Sequence, residues 1–220
     1  MIEALYEDNH LIAVNKKSGD IVQGDKTGDT PLSDFVKSYI KKKYNKPGEV
    51  FLGTIHRLDR PTSGVVLYAR TSKALSRMNE QFREKKVQKT YWAVVEKTPP
   101  TESGTLENYL QKNQKQNKSY VTKIKVGKHA ILDYKLLRKL DNFFHLEIKP
   151  KTGRHHQIRV QLATIGCIIK GDLKYGAKRS NKDASIHLLA QKLEFVHPVT
   201  KENITIVAPA PKESVWDACK

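Results

Sequence analysis

The segment His56-Arg57-Leu58-Asp59-Arg60-Pro61-Thr62-Ser63-Gly64 sets one carboxylate among two arginines, two hydroxyl side chains and a terminal glycine. It lies between two apolar runs, Val50-Phe51-Leu52 and Val65-Val66-Leu67-Tyr68. Charged residues ordinarily point into water from unrelated positions. Here the apolar flanks gather them into one loop anchored on both sides. A nearby cation favours the charged form of a carboxylate, and an ionised, oriented Asp serves as a nucleophile or a base. Any fold of this chain has to carry that loop at the rim of a core.

The 220 residues are enough for one domain with a full core, which we expect to be bipartite. Lys and Arg number 40 against 23 Asp and Glu, a net charge of +17. An excess of this size points to a polyanionic partner, above all nucleic acid. The hydrophobic fraction of 38% suits a folded globule rather than a disordered basic tail. No apolar run is long enough to span a membrane, and the N-terminus lacks the basic and apolar regions of a signal peptide. Cys167 and Cys219 are too few for a disulfide framework or a thiolate zinc site, so a cytoplasmic protein is expected.

Along the chain, Leu11–Val14 reads as a strand, and Tyr6 to Val14 together as the first strand of the fold. Thr30-Pro31 reads as an N-cap with proline at the first helical position. Leu32, Phe35, Val36, Tyr39 and Ile40 then follow at helical spacing. Lys41-Lys42-Lys43 suits the C-terminal end of that helix, and Pro47-Gly48 stops it. Thr71 or Ser72 caps a second helix with Leu75, Met78 and Phe82 on its buried face. Thr90–Val95 is rich in β-favouring residues and reads as a strand. Phe144, Leu146 and Ile148 alternate as in a half-buried strand. Ile158, Leu162 and Ile165 lie at helical spacing, and two short strands follow near Leu193–Val196 and Ile204–Val207. Residues 103–129 interleave Lys112, Lys115, Lys118, Lys123, Lys125 and Lys128 with Gln and Asn. They read as a lysine-rich insertion, a loop with a hairpin arm from Tyr120 to Val126, either solvated or gripping RNA.

Three further groups carry chemistry. Thr152-Gly153-Arg154-His155-His156-Gln157-Ile158-Arg159 places a turn before a helix start, where free N–H groups and Arg154 attract phosphate. Arg159 points elsewhere, and an arginine on an apolar helix face needs a carboxylate partner, for which Asp59 is a candidate. His155 and His156 are adjacent and diverge on a helix, so no metal site is expected. In Lys89-Thr90-Tyr91, Lys89 and Tyr91 share one face of a strand. Tyr91 is either a core residue or a ring that stacks on a base. Gly166-Cys167-Ile168-Ile169-Lys170-Gly171-Asp172-Leu173-Lys174-Tyr175-Gly176 reads as a strand and a tight turn that shape a pocket wall.

Together these groups resemble the RluA-type RNA pseudouridine synthases, from about Leu5 to Pro211. The nonapeptide is similar to that family's H-R-L-D-x-x-T-S-G. Lys89 to Ala93 is similar to K-x-Y-x-A, and Thr152 to Arg159 to T-G-R-x-H-Q-I-R. Gly171-Asp172 with Tyr175-Gly176 is similar to G-D-x-x-Y-G, and Phe195 to Thr200 to F-x-H-P-x-T. Lys17, Gln161 and Leu189 depart from the usual proline and histidines at their positions.

The resemblance implies an α+β pseudouridine synthase fold: a mixed, largely antiparallel central sheet with flanking helices and a basic catalytic cleft. It implies one catalytic domain over 1–220 with no S4 domain before it, because the first strand begins so early. Asp59 would be the catalytic carboxylate that attacks the target uridine. Arg159 would meet it at the cleft and hold it ionised, while Tyr91 packs on the uracil and assists proton removal. Arg57 would enter the RNA stack left by the flipped nucleotide. His56, Arg60, Lys16, Lys89, Arg154, His156 and Gln157 complete the set expected at the RNA. The implied reaction isomerises uridine in transfer or large-subunit ribosomal RNA. It uses no cofactor or metal, and a monomer with no obligate protein partner suffices. The alternative is a non-catalytic RNA-binding or RNA-chaperone protein of the same fold. An Asp-based hydrolase would need a second acid or a metal-ligand set beside Asp59, and the sequence supplies neither.

Overall fold

A computed structural model describes residues 2–24, 28–123 and 126–219. Lys125, one of the insertion lysines, lies outside the described residues. The chain divides into two compact units: Met1–Gln88 with Ala190–Pro209, and Lys89–Leu189 with Ala210–Lys220.

In the first unit, β1 (Ala4–Glu7) and β2 (Leu11–Lys16) pair antiparallel. The single first strand expected over Tyr6–Val14 is therefore a hairpin. Asp8 makes the reversal, because its carboxylate accepts from the N–H groups of His10 and Leu11, each at 2.7 Å. β2 pairs with β4 (Ser63–Ala69) in a register that runs from Leu11–Ala69 to Lys16–Gly64. All seven residues of β4 are buried, so its apolar run covers both faces rather than alternating. The two-residue β3 (Gly53–Thr54) pairs with the far end of β4. β10 (Leu188–Val196), which belongs to this unit from Ala190 on, pairs antiparallel with β11 (Asn203–Val207).

Helix α1 (Leu32–Lys43) buries Leu32, Val36 and Ile40. Phe35, expected on that face, is 52% exposed. Pro31 itself occupies the cap position, with no side-chain cap from Thr30. The helix stops before Pro47. Asn45 adopts φ +46°, and the N–H groups of Asn45 and Lys46 return to the carbonyls of Lys42 and Lys41. Helix α2 (Ser72–Arg83) is capped by Thr71, whose hydroxyl accepts from Ala74 N–H. Late in the unit, buried His197 closes a turn, its Nδ1 accepting from Val199 and Thr200 N–H, and its Nε2 lies 2.8 Å from Asp8.

The second unit is an antiparallel sheet in the order β5 (Gln88–Val95), β9 (Phe144–Pro150), β8 (Lys128–Lys139), β6 (Ser103–Asn113), β7 (Lys118–Thr122). The lysine-rich segment is thus two ladders of strand, with one arm over Lys118–Thr122, while Ile124 and Lys125 of the arm expected over Tyr120–Val126 lie outside the described residues. Apolar side chains of β5, β8 and β9 meet Ile158 and Leu162 of α3 (Gln157–Thr164), with Cys167, Ile169, Ile186 and Leu188, in one core. Every residue of α3 from Gln157 to Leu162 is buried. A helix enclosed on all sides has to satisfy its polar side chains internally. The strand expected at Gly166–Lys170 reduces to a single bridge between Val95 and Ile169, followed by a 3-10 turn at Leu173–Tyr175. Helix α4 (Ser214–Asp217) brings Trp216 against His145 and His187.

Candidate active site

The Asp59 loop, between β3 and β4 in the first unit, is held by its own backbone. Thr62 N–H donates to Asp59 O at 3.0 Å and closes a turn over Arg60-Pro61. The other three carbonyls of the turn are taken by Lys16, the last residue of β2, and by the segment that follows it. Lys16 Nζ donates to Arg60 O at 3.0 Å and to Thr62 O at 2.7 Å, and its third proton goes to Lys17 O. Gly19 N–H adds a second bond to Arg60 O, and Ser18 Oγ donates to Pro61 O. A loop whose carbonyls are all paired keeps one shape, which fixes where Asp59 stands.

Lys16 is completely buried. Burial pushes its ammonium down to about 8, against the opposing pull of the Asp20 and Asp59 charges. Expected at the RNA, Lys16 instead has all three donors engaged inside the protein.

Two further residues fix the loop. The His56 ring stacks on Phe82 at 5.3 Å, and its Nε2 accepts from Leu67 N–H of β4 at 3.1 Å. The histidine continues with a side chain the ladder that β3 ends. Gly64 has φ +115°, and a Cβ there would lie 2.3 Å from Ala190 O, so only glycine fits. Arg57 and Arg60 are exposed. Arg60 pairs with Asp29 at 2.8 Å, and among the described residues no carboxylate engages Arg57.

The second unit carries Tyr91, Lys89 and the Thr152–Arg159 segment. Tyr91 lies on β5 opposite Ile148 of β9, half-buried, with its ring against the apolar core. Lys89, on the same face, places its Nζ 3.6 Å from where a Cβ on Gly153 would sit. Burial lowers the pKa of that ammonium. Among the described residues no carboxylate pairs with it.

Gln157 ties the turn together. Its Oε1 accepts from Thr152 Oγ1 and Arg154 N–H, and its Nε2 donates to Ile131 O. Arg154 itself is exposed, with Nε donating to His129 O. His156, at φ +53°, stacks on His155 at 3.9 Å and meets the Tyr175 hydroxyl through Nδ1 at 3.0 Å. Burial, helped by Arg159 and other cations, pushes this imidazole down to about 2, so it stays neutral. Gln157 and His156, also expected at the RNA, are both inside the scaffold.

Arg159 is 5% exposed. Its Nε and Nη2 donate to the two carboxylate oxygens of Asp172 at 2.7 and 2.8 Å, a bidentate pair. The Tyr175 ring lies 5.2 Å from the guanidinium carbon. Asp172 was not among the site residues expected from sequence. Its signal was the Gly171-Asp172 of the fourth motif, together with the need of an enclosed arginine for a carboxylate. Among the described residues no group of three or more His, Cys, Asp or Glu could hold a metal ion.

Comparison with known proteins bears on both units. Residues 10–164 match the RNA pseudouridylate synthase family. Ribosomal large subunit pseudouridine synthase C of Buchnera aphidicola subsp. Schizaphis graminum is 37% identical over 213 residues, covering 93% of this chain and 66% of that protein. The chain thus spans just under two thirds of the length of that relative. tRNA pseudouridine synthase C of Haemophilus influenzae is 34% identical and covers 94% of this chain and 92% of its own length. In structure, human RNA pseudouridylate synthase domain containing 4 superposes with a TM-score of 0.81 over 97% of this chain and 90% of that one, at 24% identity. That likeness shows the fold expected from the motifs, α+β with an extensive sheet. With the family match over most of its length and the relatives at these identities, the chain belongs to the RNA pseudouridylate synthase family.

Proposed function

We propose that this protein is an RNA pseudouridine synthase, an isomerase that converts uridine to pseudouridine in transfer or large-subunit ribosomal RNA. The observation that carries the proposal is the Asp59 turn, in which every backbone carbonyl is held by a partner. A loop that only bound RNA would gain nothing from fixing one carboxylate so firmly. Preorganised groups of this kind belong to chemistry.

In the proposed reaction the N1–C1′ bond of the uridine breaks and a C5–C1′ bond forms. The C5 proton leaves to solvent and N1 takes one up, so atoms and electrons balance without a cofactor. Asp59 supplies the catalytic carboxylate, Arg159 its cationic partner, and Tyr91 the ring that packs on the uracil. Extruding the nucleotide costs a few kcal/mol, which aromatic stacking and phosphate contacts offset. Exposed Arg57 and Arg154 and half-buried Lys89 are assigned to the RNA, with Arg60 beside them. Lys16, His56, His156 and Gln157 are assigned to holding the scaffold. The protein is proposed to act as a cytoplasmic monomer, and among the described residues no helix is long and apolar enough to cross a membrane.

The test uses purified protein with unmodified transfer RNA and large-subunit ribosomal RNA transcripts, and carbodiimide-dependent primer extension to map pseudouridine. New stops at defined uridines in one of the two RNAs are expected. Absence of stops in both, with RNA binding intact, would favour the non-catalytic binder.

A further inference from the structure

The Asp172–Arg159 pair uses only one edge of the guanidinium. Asp172 takes Nε and Nη2, and the fork geometry directs the remaining N–H groups away from that carboxylate. Asp172 thus fixes the guanidinium in its own plane. The Tyr175 ring, 5.2 Å from the guanidinium carbon, supports it from a second direction. Asp172 precedes and Tyr175 ends a single 3-10 turn, and the Tyr175 N–H donates to Asp172 O, so the two supports move as one piece.

The Tyr175 hydroxyl reaches the lysine-rich hairpin. It accepts from Ser119 N–H at 2.9 Å and donates to Ser119 O at 3.1 Å, while His156 Nδ1 lies at 3.0 Å. A phenol has one proton to give. All three contacts are satisfied when Ser119 O receives it and neutral His156 donates from Nδ1. The His155 ring meets Ser119 Oγ at 2.8 Å, and Lys174 Nζ donates to Asn117 O at the hairpin tip. Lys118, on the hairpin, places its ammonium 5.0 Å from the same Tyr175 ring that supports Arg159. One aromatic ring therefore touches both a lysine of the hairpin and the arginine of the site.

We propose that Asp172 and Tyr175 are positioning residues for Arg159, and that the Tyr175 hydroxyl makes this position depend on the docked hairpin. Resting on the activity proposed above, RNA held by the hairpin lysines away from the target uridine then favours the arrangement of Arg159 that the reaction needs. The hairpin contributes to turnover as well as to affinity.

Single-turnover tritium release from [5-³H]uridine-labelled transfer and ribosomal RNA transcripts tests this, with thermal melts to verify folding. Tyr175→Phe keeps the ring under Arg159 and removes the hydroxyl link. Its rate constant at saturating protein should fall about 10-fold, with the half-saturating concentration within about two-fold of wild type. A residue needed only for folding would lower the melting temperature and leave the saturating rate alone. Asp172→Asn should lower the saturating rate further, and if that variant does not fold, Tyr175→Phe decides by itself. A folded Tyr175→Phe with the wild-type saturating rate would overturn the coupling while leaving the proposed activity intact. No tritium release by wild type from either RNA would overturn the activity, and the coupling with it.

Discussion

The Lys16 ammonium lies 2.7 Å from the carbonyl oxygen of Thr62, three residues beyond Asp59 in the same turn. The contact links the first paired strands of the protein to the loop that carries its candidate nucleophile. It also explains a fully buried lysine. Its charge is tolerated because three carbonyls share it, and its position matters because two of them belong to the Asp59 turn.

Lys16→Met should therefore cost activity more than stability. The methionine fills the same volume and removes a desolvated charge, but it leaves the turn carbonyls without their common donor. Saturating single-turnover rates should fall at least about 10-fold, with a change in unfolding free energy within about 2 kcal/mol. A variant that turns over like wild type would remove Lys16 from the account.

The same lysine predicts an alkaline effect whose sign follows from its low pKa. Folded, the ammonium titrates near 8, against 10.5 for an ordinary lysine. Below about pH 8 both states are protonated, and the folded chain bears the full burial cost. Between about 8 and 10.5 the unfolded chain holds more protons, so this contribution rises with pH, by about 3 kcal/mol in all. Urea unfolding of wild type and Lys16→Met across this window should show the wild type gaining relative to the variant. Turnover by wild type should fall over the same window, because a neutral amine has two protons for three carbonyls.

Gly64→Ala should destabilise the protein by about 3 kcal/mol or more, since its Cβ would overlap a backbone oxygen at 2.3 Å and the backbone is left-handed. Denaturant midpoints measure the loss. A midpoint equal to wild type would mean the loop does not enter β4 as described.

Acid should also weaken the fold. His145 and His187 are buried, and burial pushes each down to about 4 from 6.5. Their stability contribution is complete above 6.5 and is lost as pH falls through 6.5 toward 4, because the unfolded histidines take up protons first. Neither ring nitrogen of His145 has a hydrogen-bond partner among the described residues, and the ring packs edge-on against Trp92 and Trp216. His145→Phe should flatten the acid limb of the unfolding free energy between pH 6.5 and 4 by up to about 3 kcal/mol. An unchanged limb would place the acid sensitivity elsewhere.

The lysine hairpin should account for part of the salt dependence of RNA binding. Replacing Lys112, Lys115 and Lys118 by alanine should lower the slope of log K against log salt by about 2, near 0.7 for each single-strand phosphate that the protein no longer neutralises. Filter binding at several salt concentrations measures it, and an unchanged slope would leave the hairpin free of phosphate.

Much of this was legible in the sequence because local chemistry dictates it. The turn residues around Asp59, the Thr71 cap and the alternation of β9 each depend on neighbours along the chain. What was not legible depends on packing across space. Arg159 demanded a carboxylate, and the sequence offered Asp59 as a candidate. The bidentate partner within its own unit is Asp172, brought in by the turn after α3. The family resemblance placed Lys16 at the RNA, and a motif match does not reveal the three inward carbonyls that hold it. The run Cys167-Ile168-Ile169 read as a strand because apolar content reports burial, and in this place it forms one bridge rather than a ladder.

The central claim is that Asp59 carries the chemistry, and Asp59→Asn tests it most directly, since the amide keeps the shape of the turn and removes the charge. Tritium release from [5-³H]uridine-labelled RNA by the folded variant should fall to background, with RNA affinity within about two-fold of wild type. Release at the wild-type rate would contradict the account.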